Sequence, residues 1–351
     1  MRRLFLRIKR SPFFIKLMNW EYWPIYIVNI PVVFIWLFYA LRARSMFFFS
    51  SANPAIETGG VLGESKINIL NRIPPQAIPI TIFIEKGTDF QEIRSKVEGA
   101  SLDFPIIAKP DVGERGFLVT KLENMEALER YASKHSLNFL IQEFVAWPME
   151  VSIMYHRFPG ASNGKITSVC VKDTLKVSGD GQSTVRALMA MKERASLQLD
   201  RFIRESNPLL DKVPAKGETL ELEPIGNHCR GTMFLNGNQH IDARLNEVID
   251  KVGRQMEGVF YGRFDMKCES MQSLKEGRNF KILEFNGIAS EPAHIYDPAY
   301  PLWKKYQDIF RHWGIIYRIS QVQRQRGVYG MSLREAIDSV RTYFRYMKTV
   351  G

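Results

Sequence analysis

The sequence predicts an α+β protein with an apolar helical segment at its start and a basic helix at its end. Three observations support this prediction: strand-like and helix-like runs are mixed along the middle of the chain, 20 consecutive residues near the start carry no charge, and the carboxyl end has apolar residues at helical spacing. The chain has 351 residues, of which 45% are hydrophobic. This length and composition are those of a folded protein that buries its own core.

The apolar segment, residues 22 to 41, would extend about 30 Å as a helix, which is roughly the thickness of the hydrocarbon layer of a membrane. Aromatic residues flank it at both ends, as they do at membrane interfaces. Asn29 and Pro31 interrupt its middle, and a proline inside a helix leaves a carbonyl that lipid cannot satisfy. We therefore expect a kinked segment that re-enters or lies along one leaflet. The alternative is a hydrophobic helix buried in the protein.

The basic residues are concentrated at the two ends of the chain. Residues 1 to 44 and residues 303 to 351 each have a net charge of +7, which leaves −3 for the remainder of a chain whose total is +11. A nucleic-acid-binding protein would carry its basic surface on the folded body, whereas basic and aromatic ends suit an anionic lipid surface. We expect a membrane lipid surface as a partner and no nucleic acid.

The middle of the chain contains the predicted strands and helices of the folded body. Strands are predicted at residues 78–84, 105–109, 139–143, 151–156, 165–172, 259–268 and 280–286. Helices are predicted at residues 91–98, 125–135, 185–205 and 244–258. A loop rich in small residues, 47–63, separates these elements from the apolar segment.

The carboxyl end is predicted to be an amphipathic helix. Ser332 and Glu335 supply a capping box at its start. Its apolar residues follow at spacings of four and three: Leu333, Ile337, Val340, Phe344 and Met347. Two alternatives are open for this stripe, which either packs on its own domain or lies on a membrane interface.

Two strands are predicted to bring acidic side chains together. Arg263 and Asp265 share one face of the first strand because side chains alternate along a strand. In the second strand, Glu284 and Asn286 share a face, and Leu283 and Phe285 are expected to share the opposite one. Two carboxylates and an amide suit Mg²⁺, which takes hard oxygen ligands and completes its shell with water and nucleotide phosphates. The alternative is a pair of strands with solvated acids.

Lys66, Lys109 and Lys172 each lie at the edge of a strand-like or apolar run, where a point charge can meet phosphate oxygens. The run DVGERG follows Lys109 directly, and its glycines, Gly113 and Gly116, allow backbone N–H groups to approach phosphates. A single lysine of this kind is most often the solvated end of a strand. The order of these motifs along the chain is a more specific indication of a nucleotide site than any single lysine.

Taken in order, the motifs resemble those of the ATP-grasp superfamily, from about residue 66 to residue 292. The segments that carry the resemblance are FPIIAKP, DVGERG, LIQEFV, VSGDGQSTV, GNHCRG, RFD and LEFNG. They are most similar to the branch that contains D-alanine-D-alanine ligase, glutathione synthetase and cyanophycin synthetase. The resemblance implies the ATP-grasp fold, in which two α/β lobes enclose ATP, and it implies ATP and Mg²⁺ as cofactors.

The resemblance also implies roles for individual residues. Those implied in nucleotide binding are Lys66, Lys109, Gly113, Gly116, Gln142, Glu143, Val145, Glu150 and Asn227. Within this set, the resemblance implies that the segment from Gln142 to Val145 holds adenine, that Glu150 binds the ribose, and that DVGERG is a lid over the phosphates. Those implied in catalysis at the transferred phosphate are Lys172, Arg230 and Arg263. Those implied as metal ligands are Asp265, Glu284 and Asn286.

Four parts of the chain are expected on this basis. Residues 1–50 are a membrane-associated segment, 51–104 a linker and reduced amino-terminal lobe, 105–300 the ATP-grasp domain, and 301–351 the basic helical region. Members of the superfamily have a complete α/β domain ahead of the nucleotide fold, but only about sixty residues separate Arg44 from Pro105 here. The resemblance therefore does not identify the acceptor substrate.

The function implied is that of an ATP- and Mg²⁺-dependent carboxylate-amine ligase, which forms a C–N bond through an acyl phosphate. With the apolar segment, we expect carboxylate and amine substrates, one of them lipid-borne or membrane-proximal. Six basic residues precede this segment, and a single span would export the ATP site, so we expect a peripheral, re-entrant or monotopic protein on the cytoplasmic face of a membrane. Two alternatives are an ATP-grasp kinase of a lipid headgroup or polyol and a non-catalytic nucleotide-binding scaffold.

Overall fold

The computed structural model describes residues 20–114, 116–223, 226 and 230–350. Its strands are β1 (Thr81–Ile84), β2 (Ile106–Pro110), β3 (Thr120–Leu122), β4 (Phe139–Glu143), β5 (Met149–His156), β6 (Lys165–Asp173), β7 (Lys176–Ser178), β8 (Thr219–Glu221), β9 (Met233–Asn236), β10 (Tyr261–Cys268) and β11 (Phe280–Asn286). Its helices are α1 (Ile25–Val28), α2 (Ile30–Ala43), α3 (Lys66–Leu70), α4 (Phe90–Gly99), α5 (Met125–Lys134), α6 (Val185–Met191), α7 (Glu193–Ser196), α8 (Leu199–Arg204), α9 (Ala243–Gln255), α10 (Met271–Lys275), α11 (Leu302–Gln325) and α12 (Leu333–Val350).

The first lobe is a four-stranded antiparallel sheet in the order β1-β4-β2-β3. Helices α4 and α5 pack against it, and its core contains Ile84, Ile106 and Ile141. Strand β1 belongs to residues 51–104 and pairs with β4 from residues 105–300. These two segments of the chain therefore share one sheet.

The second lobe is a five-stranded antiparallel sheet in the order β11-β10-β5-β6-β9. Alternation along the strands places Val151, Ile153, Phe264 and Met266 in one buried core with Leu245 of α9. The polar residues between them therefore lie on the other face of the sheet.

The pairing of β10 with β11 is irregular at one place. Asp265 lies opposite Glu284, whereas the next residue, Met266, lies opposite Ile282, so the register skips Leu283. The expectation that Leu283 and Phe285 share one face is therefore wrong, since Phe285 is buried in the core. It lines the cavity described below, because the extra residue in β11 turns it out of the alternation.

The helix predicted at residues 185–205 is divided into three short helices, α6, α7 and α8. The backbone of Lys192 is extended where α6 ends, with φ −99° and ψ 116°. This bend allows Leu188, Ala195 and Phe202, from successive helices, to pack into one small core beside β7 and β8. Burial of these three side chains thus overrides the continuous helical pattern of the sequence.

The apolar segment, residues 22 to 41, contains α1 and α2, which are separated at Asn29. Pro31 lies in the first turn of α2, where its missing N–H costs no hydrogen bond. Helix α2 packs against α11, and Ala40 and Ala43 are buried there. Within the residues that the structure describes, no helix combines the length and the apolar character needed to cross a membrane.

The carboxyl-terminal helix α12 begins at the predicted capping box. The backbone N–H of Ser332 donates to the Glu335 carboxylate, and the backbone N–H of Glu335 donates to the Ser332 hydroxyl. Four residues of its apolar stripe are 41 to 65% exposed: Leu333, Ile337, Val340 and Phe344. These four side chains are therefore not covered by the domain, whereas the fifth, Met347, is half-buried.

Candidate nucleotide and metal site

One cavity of about 1100 Å³ is lined by residues of both sheets and of the helices α2 and α11. The predicted site residues on its wall are Lys66, Lys109, Gly113, Gly116, Gln142, Glu143, Val145, Glu150, Lys172, Arg263, Asp265, Glu284 and Asn286. The structure thus brings together residues that lie more than 200 positions apart in the sequence. Asn227 is outside the described residues, and Arg230 lies elsewhere.

Asp265 is the most heavily bonded of these side chains. Arg263 reaches it as a fork, with Nε 2.9 Å from Oδ1 and Nη2 3.1 Å from Oδ2. The Ser152 hydroxyl donates to Oδ1 at 2.6 Å, and the Asn286 amide donates to Oδ2 at 3.2 Å. The Lys172 ammonium lies 4.0 Å from Oδ2. The carboxylate is therefore held in one orientation by groups from four strands.

This network keeps its members charged although they are buried. Burial alone would raise the pKa of Asp265, but Arg263 and Lys172 outweigh it and lower that pKa to about 2. Burial would likewise lower the pKa of Lys172, and the carboxylates of Asp265 and Glu150 instead hold it above its usual value. The cavity therefore contains fixed, paired charges.

Glu284 is the more accessible carboxylate of the pair, since its side chain is 36% exposed and Lys66 Nζ lies 3.8 Å from Oε1. Asn286 follows two residues later on the same strand. With Asp265, these groups match the chemistry of a Mg²⁺ site, because Mg²⁺ takes hard oxygen ligands and needs few carboxylates when phosphates supply the others. Among the described residues, no three His, Cys, Asp or Glu side chains are grouped to hold a metal by themselves. These donors would therefore hold the ion together with a nucleotide.

Lys109 is a buried cation in the polar part of the cavity. Its Nζ donates to Gln142 Oε1 at 2.9 Å and to the Leu283 carbonyl at 3.0 Å. Burial lowers the pKa of Lys109 to about 8, while Glu284 opposes this shift and Lys66 adds to it. A phosphate oxygen beside Nζ would raise the pKa of Lys109 and so favour its protonated, charged form.

The glycine-rich loop between β2 and β3 forms one wall of the cavity. Gly113 and Gly116 have φ angles of 149° and 73°, in the region that favours glycine. Lys66 Nζ donates to the carbonyl of Gly113, and the hydroxyl of Tyr346 on α12 donates to the carbonyl of Val112 at 2.9 Å. Both α3 and α12 therefore contact the loop that is predicted to cover the phosphates.

The predicted adenine segment lies at the end of β4, where Gln142, Glu143 and Val145 line the cavity. Gln142 Nε2 donates to the Thr81 hydroxyl at 2.9 Å. Glu143 Oε2 accepts a hydrogen bond from the backbone N–H of Ile80 at 3.1 Å. These contacts hold the end of β4 against the start of β1 and give this wall a fixed position.

Glu150, which the resemblance places on a ribose, is engaged with a lysine. Its Oε1 accepts a hydrogen bond from Lys172 Nζ at 2.7 Å, and both side chains are buried. The two residues lie opposite each other in the pairing of β5 with β6. In this structure Glu150 therefore stabilises the protonated, charged form of Lys172.

Arg230 is not brought to the other predicted residues. Its Nη1 lies 3.4 Å from Glu223 Oε1, and Nη1 of Arg201 lies 2.9 Å from Oε2 of the same carboxylate. Glu223 is buried, and a buried carboxylate requires cationic partners. In this structure Arg230 thus contributes to the neutralisation of Glu223, and its implied role at the transferred phosphate stays a prediction.

Three residues that the motifs did not single out belong to the site or support it. Phe144 and Lys267 line the cavity, with Lys267 Nζ 5.4 Å from the centroid of the Phe144 ring. Ser152 supports Asp265 through the hydrogen bond described above. The alternation of strands could have found two of them, since Lys267 follows Asp265 by two residues and Ser152 follows Glu150 by two.

No family model and no curated protein match this chain, but solved structures match part of it. The VanG D-Ala:D-Ser ligase of Enterococcus faecalis is 13% identical, with a TM-score of 0.39 over 69% of this chain and 57% of that chain. A bifunctional glutathione synthetase of Pasteurella multocida is 15% identical, with a TM-score of 0.40 over 71% of this chain and 35% of that chain. The D-alanine–D-alanine ligase of Bacillus anthracis is 14% identical, with a TM-score of 0.40 over 75% of this chain and 68% of that chain.

The chain spans less than two thirds of the length of the first two of these structures. The glutathione synthetase and the D-alanine–D-alanine ligase are ligases of the kinds that the sequence motifs resemble. At this degree of similarity, the function has to be argued from the side chains of the cavity.

Proposed function

We propose that this protein is an ATP- and Mg²⁺-dependent carboxylate-amine ligase. One observation carries the proposal: Asp265 and Glu284, opposite each other on paired strands, share a cavity with the cations of Lys109, Lys172 and Arg263. Carboxylates at this place suit a divalent ion, and the cations suit the phosphates that such an ion would neutralise. Phosphoryl transfer depends on this combination of fixed charges and positioning.

In the proposed reaction, a substrate carboxylate attacks the γ-phosphorus of ATP. The bond from that phosphorus to the oxygen shared with the β-phosphate breaks, and ADP leaves with the electron pair. The amine nitrogen of the second substrate then attacks the acyl carbon. The acyl C–O bond to phosphate breaks, inorganic phosphate leaves, and the nitrogen releases its proton to water.

Each cation contributes to this reaction in its own way. Arg263 and Lys172 are already oriented by Asp265, so they stabilise developing negative charge without reorganisation. Burial lowers the pKa of Lys109 to about 8. A phosphate beside its ammonium group would raise that pKa again, so Lys109 is fully charged when the phosphate is bound. Asp265, Glu284 and Asn286 would hold Mg²⁺, which supplies further charge neutralisation at the phosphates.

The glycine-rich loop would close over the phosphates and keep the acyl phosphate from water. Gly113 and Gly116 give the backbone the freedom that closure requires. Phe117 also lines the cavity from this loop, so a closed loop would bring an apolar side chain towards the reacting groups.

The proposal is tested by measuring ADP release from the purified full-length protein with ATP, Mg²⁺ and pools of carboxylic acids and amines. A ligase releases ADP and inorganic phosphate only when an acid and an amine are both present. Release of ADP with one substrate that keeps the phosphate would support the kinase alternative. Binding of ATP without turnover in any pool would support the scaffold and contradict both enzymes.

We propose further that the protein works on the cytoplasmic face of a membrane, on a lipid-borne or membrane-proximal substrate. Helix α2 supports this with an outward stripe of apolar residues at helical spacing, 37 to 78% exposed: Ile30, Val33, Phe34, Leu37, Phe38 and Leu41. Contiguous apolar surface of this kind is rare on soluble monomers. The exposed stripe of α12, which also carries basic residues, offers a second contact.

Flotation with lipid vesicles tests the membrane proposal. We expect Phe34→Ser to bind vesicles of phosphatidylcholine and phosphatidylglycerol about tenfold more weakly than the unmodified protein, because burial of one phenylalanine contributes about 1.5–3 kcal/mol. Val213→Ser serves as the control, since Val213 is similarly exposed but lies outside both stripes. Equal flotation of the two variants, or no flotation of the unmodified protein, would contradict the proposal.

A further inference from the structure

We propose that the apolar part of the cavity binds the hydrocarbon chain of an amphiphilic substrate, whose carboxyl or amino head reaches the polar part. The proposal deepens the ligase function proposed above and rests on it. The residues of this apolar part are Val32, Val33, Trp36, Phe47, Phe49, Ile309, His312, Trp313 and Ile316.

Two packed helices form most of this wall. Helix α11 contributes Ile309, His312, Trp313 and Ile316, and helix α2 contributes Val32, Val33 and Trp36. The spacing within each set corresponds to one side of a helix, so both helices present a continuous face to the cavity.

The wall of the apolar part is uncharged. Burial, together with the nearby His156 and Arg311, lowers the pKa of His312 to about 3, so the imidazole is neutral. Its Nδ1 is hydrogen-bonded to the Tyr261 hydroxyl at 2.9 Å, which satisfies a polar atom of each ring. A wall of this kind offers nothing to a phosphate or a free amino acid, and it gains free energy by covering hydrocarbon.

The apolar and polar parts meet along β10. Tyr261 and Arg263 both line the cavity and are two residues apart, which corresponds to about 7 Å along one face of a strand. Arg263 Nη1 also donates to the carbonyl of Glu291, another residue of the wall, at 3.2 Å. A head group beside Arg263 therefore remains within reach of a chain that lies against Tyr261.

The charged and the apolar walls of the cavity come from different elements of the fold. The cavity volume of about 1100 Å³ lies close to the upper end of the usual range for a small-ligand site, about 300–1000 Å³. The charged groups that suit a nucleotide lie on the strands and, for Lys66, at the start of α3, and none of them is contributed by α2 or α11. A nucleotide bound to the strands would thus leave the helical part free for the substrate.

The apolar part opens beside the exposed stripe of α2. Val33 lines the cavity, and it is also 47% exposed on the outward stripe together with Ile30 and Phe34. A hydrocarbon chain could therefore pass along Val33 from a surface that covers the stripe into the cavity. This continuity is the reason for choosing an amphiphile as the occupant.

The test is calorimetric titration of the full-length protein, without nucleotide, with fatty acids and with alkylamines of 8, 10 and 12 carbons below their micelle concentrations. We expect saturable binding whose affinity rises about fourfold for each added CH₂ group, which corresponds to about 0.8 kcal/mol per group. The series that binds more tightly, acid or amine, identifies the head of the substrate. Absence of saturable binding to the unmodified protein, or an affinity that does not depend on chain length, would overturn the proposal.

Two tryptophan variants of α2 locate the binding site. Val33→Trp should narrow the opening and weaken binding of dodecanoic acid or dodecylamine at least tenfold. Phe34→Trp is the matched control, because Phe34 is the adjacent exposed residue and does not line the cavity. Equal affinities in the two variants would show that the chains bind elsewhere and would overturn the proposal.

Separate failures of the two proposals remain distinguishable. If ADP release requires an acid and an amine that are both water-soluble, and no alkyl probe binds, the ligase function stands and the chain-binding site falls. If alkyl probes bind at the α2 opening but no acid and amine release ADP, the ligase function fails, and the substrate role proposed for the chain fails with it.

Discussion

Replacement of Glu284 by glutamine is expected to lower the rate of ADP release at least about a hundredfold while leaving the fold intact. The glutamine keeps the size of the side chain but removes the negative charge that faces the phosphates, so the divalent ion loses a hard anionic ligand. Stability should change little because the Glu284 side chain is 36% exposed and its ion pair with Lys66 is long, at 3.8 Å. The measurement is steady-state ADP release over a range of Mg²⁺ concentrations, together with thermal unfolding.

The Mg²⁺ dependence separates a ligand role from a general loss of activity. In the Glu284→Gln variant, half-maximal activity should require a higher Mg²⁺ concentration than in the unmodified protein. Glu269→Gln is the matched control, because Glu269 directly follows the last residue of β10, does not line the cavity and is exposed to solvent. If Glu284→Gln keeps the rate and the Mg²⁺ dependence of this control, the metal assignment fails.

Strand alternation was enough to predict much of the site. The placement of Arg263 and Asp265 on one face of a strand follows from period two, and the structure shows both on the cavity wall. The position of Leu283 could not be predicted in this way, because the register shift depends on how β10 and β11 pair. The hydrogen bond from Lys109 to the carbonyl of Leu283 could not be predicted either, since it joins residues 174 positions apart.

Charges that pair with one another limit what the linear motifs can predict about the site. Arg230 lies in a motif that resembles a phosphate-binding segment, but the buried carboxylate of Glu223 accepts it instead. Glu150 was expected on a ribose, and it contacts Lys172 across two strands. A linear motif shows which charges are present, whereas their partners depend on the packing that surrounds them.

The role of the first helices was only partly predictable. The absence of charge from residues 22 to 41 indicates an apolar environment but does not specify whether lipid or protein supplies it. In the structure, protein covers one side of α2, where Ala40 and Ala43 are buried against α11, while Phe34 and Leu41 are exposed. Because α11 lies more than 250 residues further along the chain, no local pattern could reveal that both helices line one cavity.

Replacement of Asp265 by asparagine is expected to abolish ADP release and, unlike Glu284→Gln, to destabilise the protein by about 3–5 kcal/mol at pH 7. The substitution leaves the buried cations of Arg263 and Lys172 without the carboxylate that now balances them. The amide can replace part of the hydrogen bonding, but it cannot replace the charge. Urea unfolding monitored by tryptophan fluorescence measures this difference, with Glu284→Gln as the control that should unfold close to the unmodified protein.

The pH dependence of this loss provides an independent check on the charge of Asp265. The pKa of its carboxyl is lowered from 3.8 to about 2 in the folded protein, so its ionised form stabilises the fold by about 2 kcal/mol above pH 4. That contribution is lost as the pH falls from about 4 towards 2, where the carboxyl is protonated in the folded state as well. The gap in unfolding free energy between the unmodified protein and Asp265→Asn should therefore narrow over this range and stay constant from pH 5 to 7. A gap that is small at pH 7, or that does not depend on pH, would mean that Arg263 and Lys172 do not need this carboxylate, and the charge network proposed for the site would have to be abandoned.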